Sequence, residues 1–142
     1  IAVGSNGIAS TMGAHDDIFT ADIVCQAPLD AIVGQVDFIK LDIEGQEMNA
    51  LRGFSAGLKQ RPILVSEFAP GMLGLRETMG REYLEFLLSY GYTLGVIERD
   101  GSVSADCGLT AIMQSWCNSG VDHIDILATP DYSSGSSPRR QT

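Results

Sequence analysis

Basic residues are scarce in this chain. Nine lysines and arginines stand against eighteen aspartates and glutamates in 142 residues, a formal net charge of −9 and a sequence pI of about 4.4. A surface of that sign argues against nucleic acid or an anionic membrane as a partner. No apolar run approaches the roughly 20 residues needed to cross a bilayer, and the amino terminus lacks the basic start of a signal peptide, so a cytoplasmic protein is expected. Cysteine is sparse too. Cys25, Cys107 and Cys117 show neither CxxC nor Cys/His ligand spacing, which argues against a zinc site. Cys25, in Ile23-Val24-Cys25, and Cys117, after Trp116, read as small buried apolar residues, whereas Cys107 beside Gly108 reads as a loop residue open to solvent. The two histidines lack a partnered nucleophile: His15 sits beside Asp16 and Asp17 in a polar turn, and His123 opens a strand near the end of the chain.

What is present is concentrated in Val36-Asp37-Phe38-Ile39-Lys40-Leu41-Asp42-Ile43-Glu44-Gly45-Gln46-Glu47. Residues 38–43 form a short apolar run of the kind that makes a strand buried on both faces, yet Lys40, Asp42 and Glu44 fall on one face by the period-2 rule. Burying such charges is costly unless they are paired, hydrogen-bonded or bound to a ligand. Gly45 allows a tight turn, and residues 46–51 read as a helix with Glu47 in its first turn. In open α/β sheets, ligands bind outside the carboxyl ends of the strands, which is where this strand-turn-helix unit places its carboxylates.

The remaining elements follow from pattern. Residues 21–26 read as a strand, 28–33 as a short turn or helix, and 62–68 as a second apolar strand with Pro62 at its start, where no ladder bond need be donated. Tyr83, Leu84, Leu87, Leu88 and Tyr90 recur at helical spacing as a core stripe, and Gly91 stands where a left-handed cap is expected. Residues 93–98 and 101–104 flank an Asp100-Gly101 turn and predict a hairpin. Leu109, Ile112, Met113 and Trp116 share one helix face, and 124–128 is a final strand. At 44% apolar and this length the chain holds one core. Alternating strands and helices predict an α/β domain with a largely parallel sheet.

The central motif resembles the FkbM-type methyltransferases, which use S-adenosylmethionine and have a strand of the form Lys-x-Asp-x-Glu-Gly-x-Glu. Here it stands as Lys40, Asp42, Glu44, Gly45 and Glu47. Pro28-Leu29-Asp30 is similar to the family's Leu-Asp segment, Leu51-Arg52-Gly53 to its helix end, 62–68 to its next strand ending in Glu, and 87–92 to its Leu-x-x-x-Gly-Tyr exit. The family's Asp-x-Gly-Ala-Asn-x-Gly cofactor loop has no match. Ser5-Asn6-Gly7 and Met12-Gly13-Ala14 follow no long apolar strand, and Ile1-Ala2-Val3-Gly4-Ser5 resembles a later Ala-Leu-Ser strand end. The first residue, Ile, fits a chain opened in mid-gene. The resemblance thus implies the carboxyl-terminal part of a Rossmann-like class I methyltransferase sheet, mostly parallel with an antiparallel last strand. Residues 1–130 would be a partial domain and 131–142 a disordered tail, poor in apolar residues. The chain alone is expected to be inactive, although the complete protein would be a methyltransferase.

In that arrangement Asp42, Glu44 and Glu67 gather near one strand edge where cofactor and acceptor meet. Methyl transfer to a hydroxyl is an in-line displacement that needs the oxygen's proton taken or the oxygen polarised. Asp42 is expected as the acceptor-side base, a cofactor contact or a ligand to Mg²⁺, Glu44 as its neighbour or an acceptor hydrogen-bonder, Glu67 as part of the acceptor pocket, and Lys40 as the cation that neutralises the cluster. The same residues also read structurally, with Lys40 in an ion network, Glu47 as a carboxylate favoured by the helix dipole and Glu67 as a cap. The function implied is an O-methyltransferase acting on a sugar or other small hydroxylated acceptor. The alternatives are a non-catalytic module or remnant, and a metal-dependent hydrolase or phosphotransfer domain. A truncated sheet would expose an unpaired edge, so a homodimer is expected.

Overall fold

The computed structural model of the chain describes residues 26–71, 77–104 and 107–132, with 77–79 as backbone alone. Along them helices and strands alternate: α1 (Leu29–Ile32), β1 (Phe38–Leu41), α2 (Glu47–Arg52), α3 (Ser55–Leu58), β2 (Ile63–Phe68), α4 (Glu77–Ser89), β3 (Tyr92–Ile97), α5 (Leu109–Ser119) and β4 (Ile124–Pro130). This is the expected α/β order, except that α3 follows α2 with no strand between them and was not foreseen in the pattern. The strands form one sheet in the order β1-β2-β4-β3, with β1 parallel to β2 and β4 antiparallel to both of its neighbours. The chain passes from β2 through α4 to β3 and leaves a one-strand gap, into which β4 returns in the opposite direction. The antiparallel last strand is therefore present and the other three strands run in one direction, as expected; because β4 lies between two of them, the four-stranded sheet is mixed.

Alternation along the strands divides the sheet into two faces. Leu64, Ser66 and Phe68 of β2, Tyr92, Leu94 and Val96 of β3, and Ile126 and Ala128 of β4 are buried together with Tyr83, Leu84 and Leu87 of α4 and Ile112 of α5. Tyr83 stacks 6.3 Å from Phe68 and donates from its hydroxyl to Ser66 Oγ at 2.6 Å, so this buried polar pair is satisfied. The opposite face holds Phe38, Lys40, Ile63 and Glu67. Phe38 remains 57% exposed, so β1 is not the doubly buried strand that its apolar run predicted. It also stops at Leu41 rather than at residue 43, because Glu44 (φ 54°) and Gly45 (φ 85°) enter the left-handed region and turn the chain away from the ladder.

Other expectations are met more closely. Gly91 ends α4 with φ 77°, its amide donating to the Leu88 carbonyl, as the cap pattern predicted. Leu88 departs from the predicted stripe and is exposed, since Tyr83, Leu84 and Leu87 fill the buried side of α4. Cys117, one residue past Trp116, turns to solvent rather than into the core, and Cys107 is half-buried, 3.1 Å from Ser104 Oγ. The predicted hairpin turns at Gly101 (φ 82°) but returns through one bridge, Ile97 to Val103. Its ladder ends there because Ser104 Oγ takes the Val96 amide in place of a backbone carbonyl. Asp131 donates its amide to the Gly91 carbonyl and Tyr132 lies under Arg61, 5.6 Å from ring centroid to guanidinium. The expectations for residues 1–25, including His15, Cys25, the two glycine segments and most of the 21–26 strand, lie outside the described residues, as does 133–142.

The Leu29-Asp30 and Leu51-Arg52-Gly53 segments meet in space. The Asp30 amide donates to the Gly53 carbonyl, and the Asp30 carboxylate accepts from the amides of Ala56 and Gly57, both at 2.9 Å, at the start of α3. One side chain thus satisfies two amides that a short helix leaves free. These bonds, that from Ala56 first, hold the Asp30 carboxyl below its ordinary range. Asp30→Ala is expected to cost about 1 kcal/mol in urea unfolding at pH 7. A depressed pKa stabilises above the unfolded value of about 3.9 and is lost as pH falls through the folded value. The gap between wild type and variant should therefore close as the pH drops below about 3.9. A gap that is constant with pH would assign the loss to packing instead.

Candidate active site

The carboxyl ends of β1 and β2 and the amino end of β4 come together, because antiparallel pairing sets Phe68 opposite Ile124 and Glu67 opposite Asp125. Charged side chains from three strands accordingly converge on the open face. Lys40 Nζ lies 2.7 Å from Asp42 Oδ2, with the two side chains 60% and 48% exposed. That hydrogen bond raises the Lys40 pKa and lowers that of Asp42. Lys40 also feels the charges of Asp125 and Glu67, so the cation sits amid the cluster as expected, but at its surface rather than in the sheet interior.

Glu67 is the most enclosed of the expected site carboxylates, its side chain only 14% exposed. Burial pushes its pKa up first, the Asp42 and Glu44 charges push it further, and His123 opposes them. The charges of Asp42 and Glu44 thus both reach Glu67.

Glu47 has a different place. Its carboxylate is 2% exposed and accepts from the amides of Ile43 at 3.0 Å and Gly45 at 3.4 Å. The side chain that opens α2 therefore closes the turn that presents Asp42 and Glu44. That is a more specific structural part than favourable interaction with a helix dipole.

Sequence reasoning weighed His123 as a base and gave it little weight, because no partnered nucleophile stands near it in the chain. Its Nδ1 lies 2.8 Å from Asp122 Oδ1 and 3.3 Å from Glu67 Oε1. The hydrogen bond to Asp122 first, then the charges of Glu67 and Asp125, raise its pKa. A histidine opening the last strand, with Asp122 and Asp125 beside it, was a signal only for a reader who also knew that this strand runs back against the end of β2.

Next to these groups an apolar cleft of about 330 Å³ runs along β1, lined by Leu29, Val33, Val36, Phe38, Ile39 and Ile43 among others, with Lys40 at its border. Among the described residues no three His, Cys, Asp or Glu side chains are gathered so as to hold a metal ion, and the Mg²⁺ expectation has no support. None of the described helices is long and apolar enough to cross a membrane. No curated protein and no solved structure matches the chain significantly. The model of one family, the methyltransferase FkbM domain, matches residues 2–94.

Proposed function

Because the chain belongs to the FkbM methyltransferase family, we propose that it takes part in moving a methyl group from S-adenosylmethionine to a hydroxyl of a sugar or other small acceptor. The observation that supports this most is the convergence of Asp42, Glu44 and Glu67 at the carboxyl ends of adjacent parallel strands. The described strands, three in one direction with an antiparallel fourth between two of them, are consistent with the later part of a Rossmann-like class I sheet. The family match does not favour the hydrolase or remnant readings.

Bound S-adenosylmethionine would supply an electrophilic methyl group. The residues described fit its donor-bearing parts. Asp42 and Glu44 offer carboxylate oxygens to an ammonium or to ribose hydroxyls, and an acidic face favours a cationic ligand. The Ile43 and Gly45 amides already donate to Glu47, so the cofactor's own carboxylate would be held by residues elsewhere. Lys40 keeps Asp42 ionised and oriented. Glu44 and Glu67 accept hydrogen bonds from the acceptor's hydroxyls and fix the reacting oxygen in line, which is where positioning contributes most.

The test is calorimetric titration of S-adenosylhomocysteine into the natural protein that contains this chain, wild type and Asp42→Asn. The expected result is micromolar binding, weakened about tenfold by the substitution, as for loss of about 1.4 kcal/mol from one charge-assisted bond. No binding by a folded wild type would overturn the proposal, and equal binding by Asp42→Asn would remove Asp42 from the cofactor.

A further inference from the structure

We propose that His123 is the group that accepts the proton of the acceptor hydroxyl, with Glu67 and Asp122 as the positioning residues that fix its ring. This rests on the methyl-transfer reading above and adds to it a proton acceptor other than Asp42.

The argument begins with what Nδ1 touches. Both of its neighbours, Asp122 Oδ1 at 2.8 Å and Glu67 Oε1 at 3.3 Å, belong to carboxylates. Ionised carboxylates only accept, so Nδ1 must be the nitrogen that bears hydrogen in the neutral ring. Nε2 is then the lone-pair nitrogen. It makes no hydrogen bond among the described residues, and the side chain is 48% exposed, so an acceptor at the strand ends can reach it. This is the arrangement that general-base histidines require: one nitrogen held by an acidic partner and the other presented to the substrate.

The neighbouring groups make poorer bases. Asp42 is committed to Lys40 at 2.7 Å, which stabilises its ionised form and weakens its pull on a proton. Glu67 is largely enclosed and turned toward the imidazole. The charges that act on His123 are Asp42 just past the end of β1, Glu67 from β2 and its own neighbours Asp122 and Asp125, with Lys40 paired to Asp42. Lys40 is offset by Asp42, and the balance favours an imidazolium once it forms.

The step balances as follows. The acceptor's O–H bond breaks as Nε2–H forms, and the electron pair left on oxygen makes the new C–O bond to the methyl group of the sulfonium donor. The donor's S–C bond breaks with its pair remaining on sulfur, giving a thioether. His123 then returns the proton from Nε2 to water.

Three readouts test the proposal on the natural protein. Long-range ¹H–¹⁵N NMR should show His123 as the Nδ1–H tautomer, with a pKa that falls in Glu67→Gln. His123→Ala should lower kcat/KM at pH 7 by about 100-fold or more, the usual scale of a lost general base. Its affinity for S-adenosylhomocysteine should stay within about threefold, and added imidazole should restore part of the rate, which a merely structural histidine would not allow. An Nε2–H tautomer, or an active wild type matched by His123→Ala, would overturn this proposal alone. A folded wild type that neither binds S-adenosylhomocysteine nor turns over would overturn the methyl-transfer reading and this proposal with it.

Discussion

Glu47→Ala is expected to destabilise the chain by about 3 kcal/mol, although Glu47 was not among the expected site residues. Two amides, those of Ile43 and Gly45, lose their acceptor at once, and both lie in a part-buried turn. A buried donor left without a partner costs about 1–3 kcal/mol, with the 3.4 Å bond to Gly45 at the low end. The turn adds its own strain. Glu44 is not glycine yet holds φ 54°, a conformation that persists only where the surroundings impose it. With Glu47 gone, the turn should relax and release Asp42 and Glu44 from their places. Glu47→Gln keeps one side-chain oxygen but buries an amide group with nothing to receive it, so about half the loss is expected. Urea unfolding of the three proteins decides the matter. A loss below about 0.5 kcal/mol for Glu47→Ala would mean that water replaces the carboxylate and that the side chain is not what shapes the turn.

Gly57→Ala should cost about 2 kcal/mol, within the usual 1–3 for an overpacked core. A Cβ at Gly57 would stand 2.0, 2.1 and 2.4 Å from three ring carbons of Phe54. Real contacts are never so short, and the ring is 1% exposed, so it cannot swing into solvent without emptying part of the core. Phe54 and Gly57 are one complementary pair, the missing side chain making room for the ring. Phe54→Leu opens that space from the other side. The double variant should therefore be more stable than the sum of the single losses predicts, by about 1 kcal/mol or more. Strict additivity would show that the backbone of α3 moves aside instead. Position 57 also donates its amide to Asp30, so such movement would appear as a weaker pH dependence of the Asp30 contribution.

Local pattern foretold the parts of this molecule in which neighbouring residues decide their own conformation. Gly91 ends α4 because glycine enters the left-handed region without penalty, and Tyr83, Leu84 and Leu87 turn inward because helical spacing puts them on one side. β2 follows its apolar run, and the strand end rich in carboxylates was visible as a charge anomaly at Lys40, Asp42 and Glu44. Tertiary structure decided what depends on distant partners. Leu88 is exposed because the buried side of α4 is already full. Asp30 finds its role 26 and 27 residues away, at the start of another helix. His123 joins Glu67 across 56 positions because β4 runs antiparallel into the gap beside β2. The sequence by itself determined most of the elements, α3 and the single-bridge hairpin apart, and with them the acidic character and the family of the central motif, since these are written in composition and short spacing. Which charges meet, which are paired and which nitrogen is left facing outward were decided by strand order, because hydrogen-bonded neighbours in a sheet need not be neighbours in the chain.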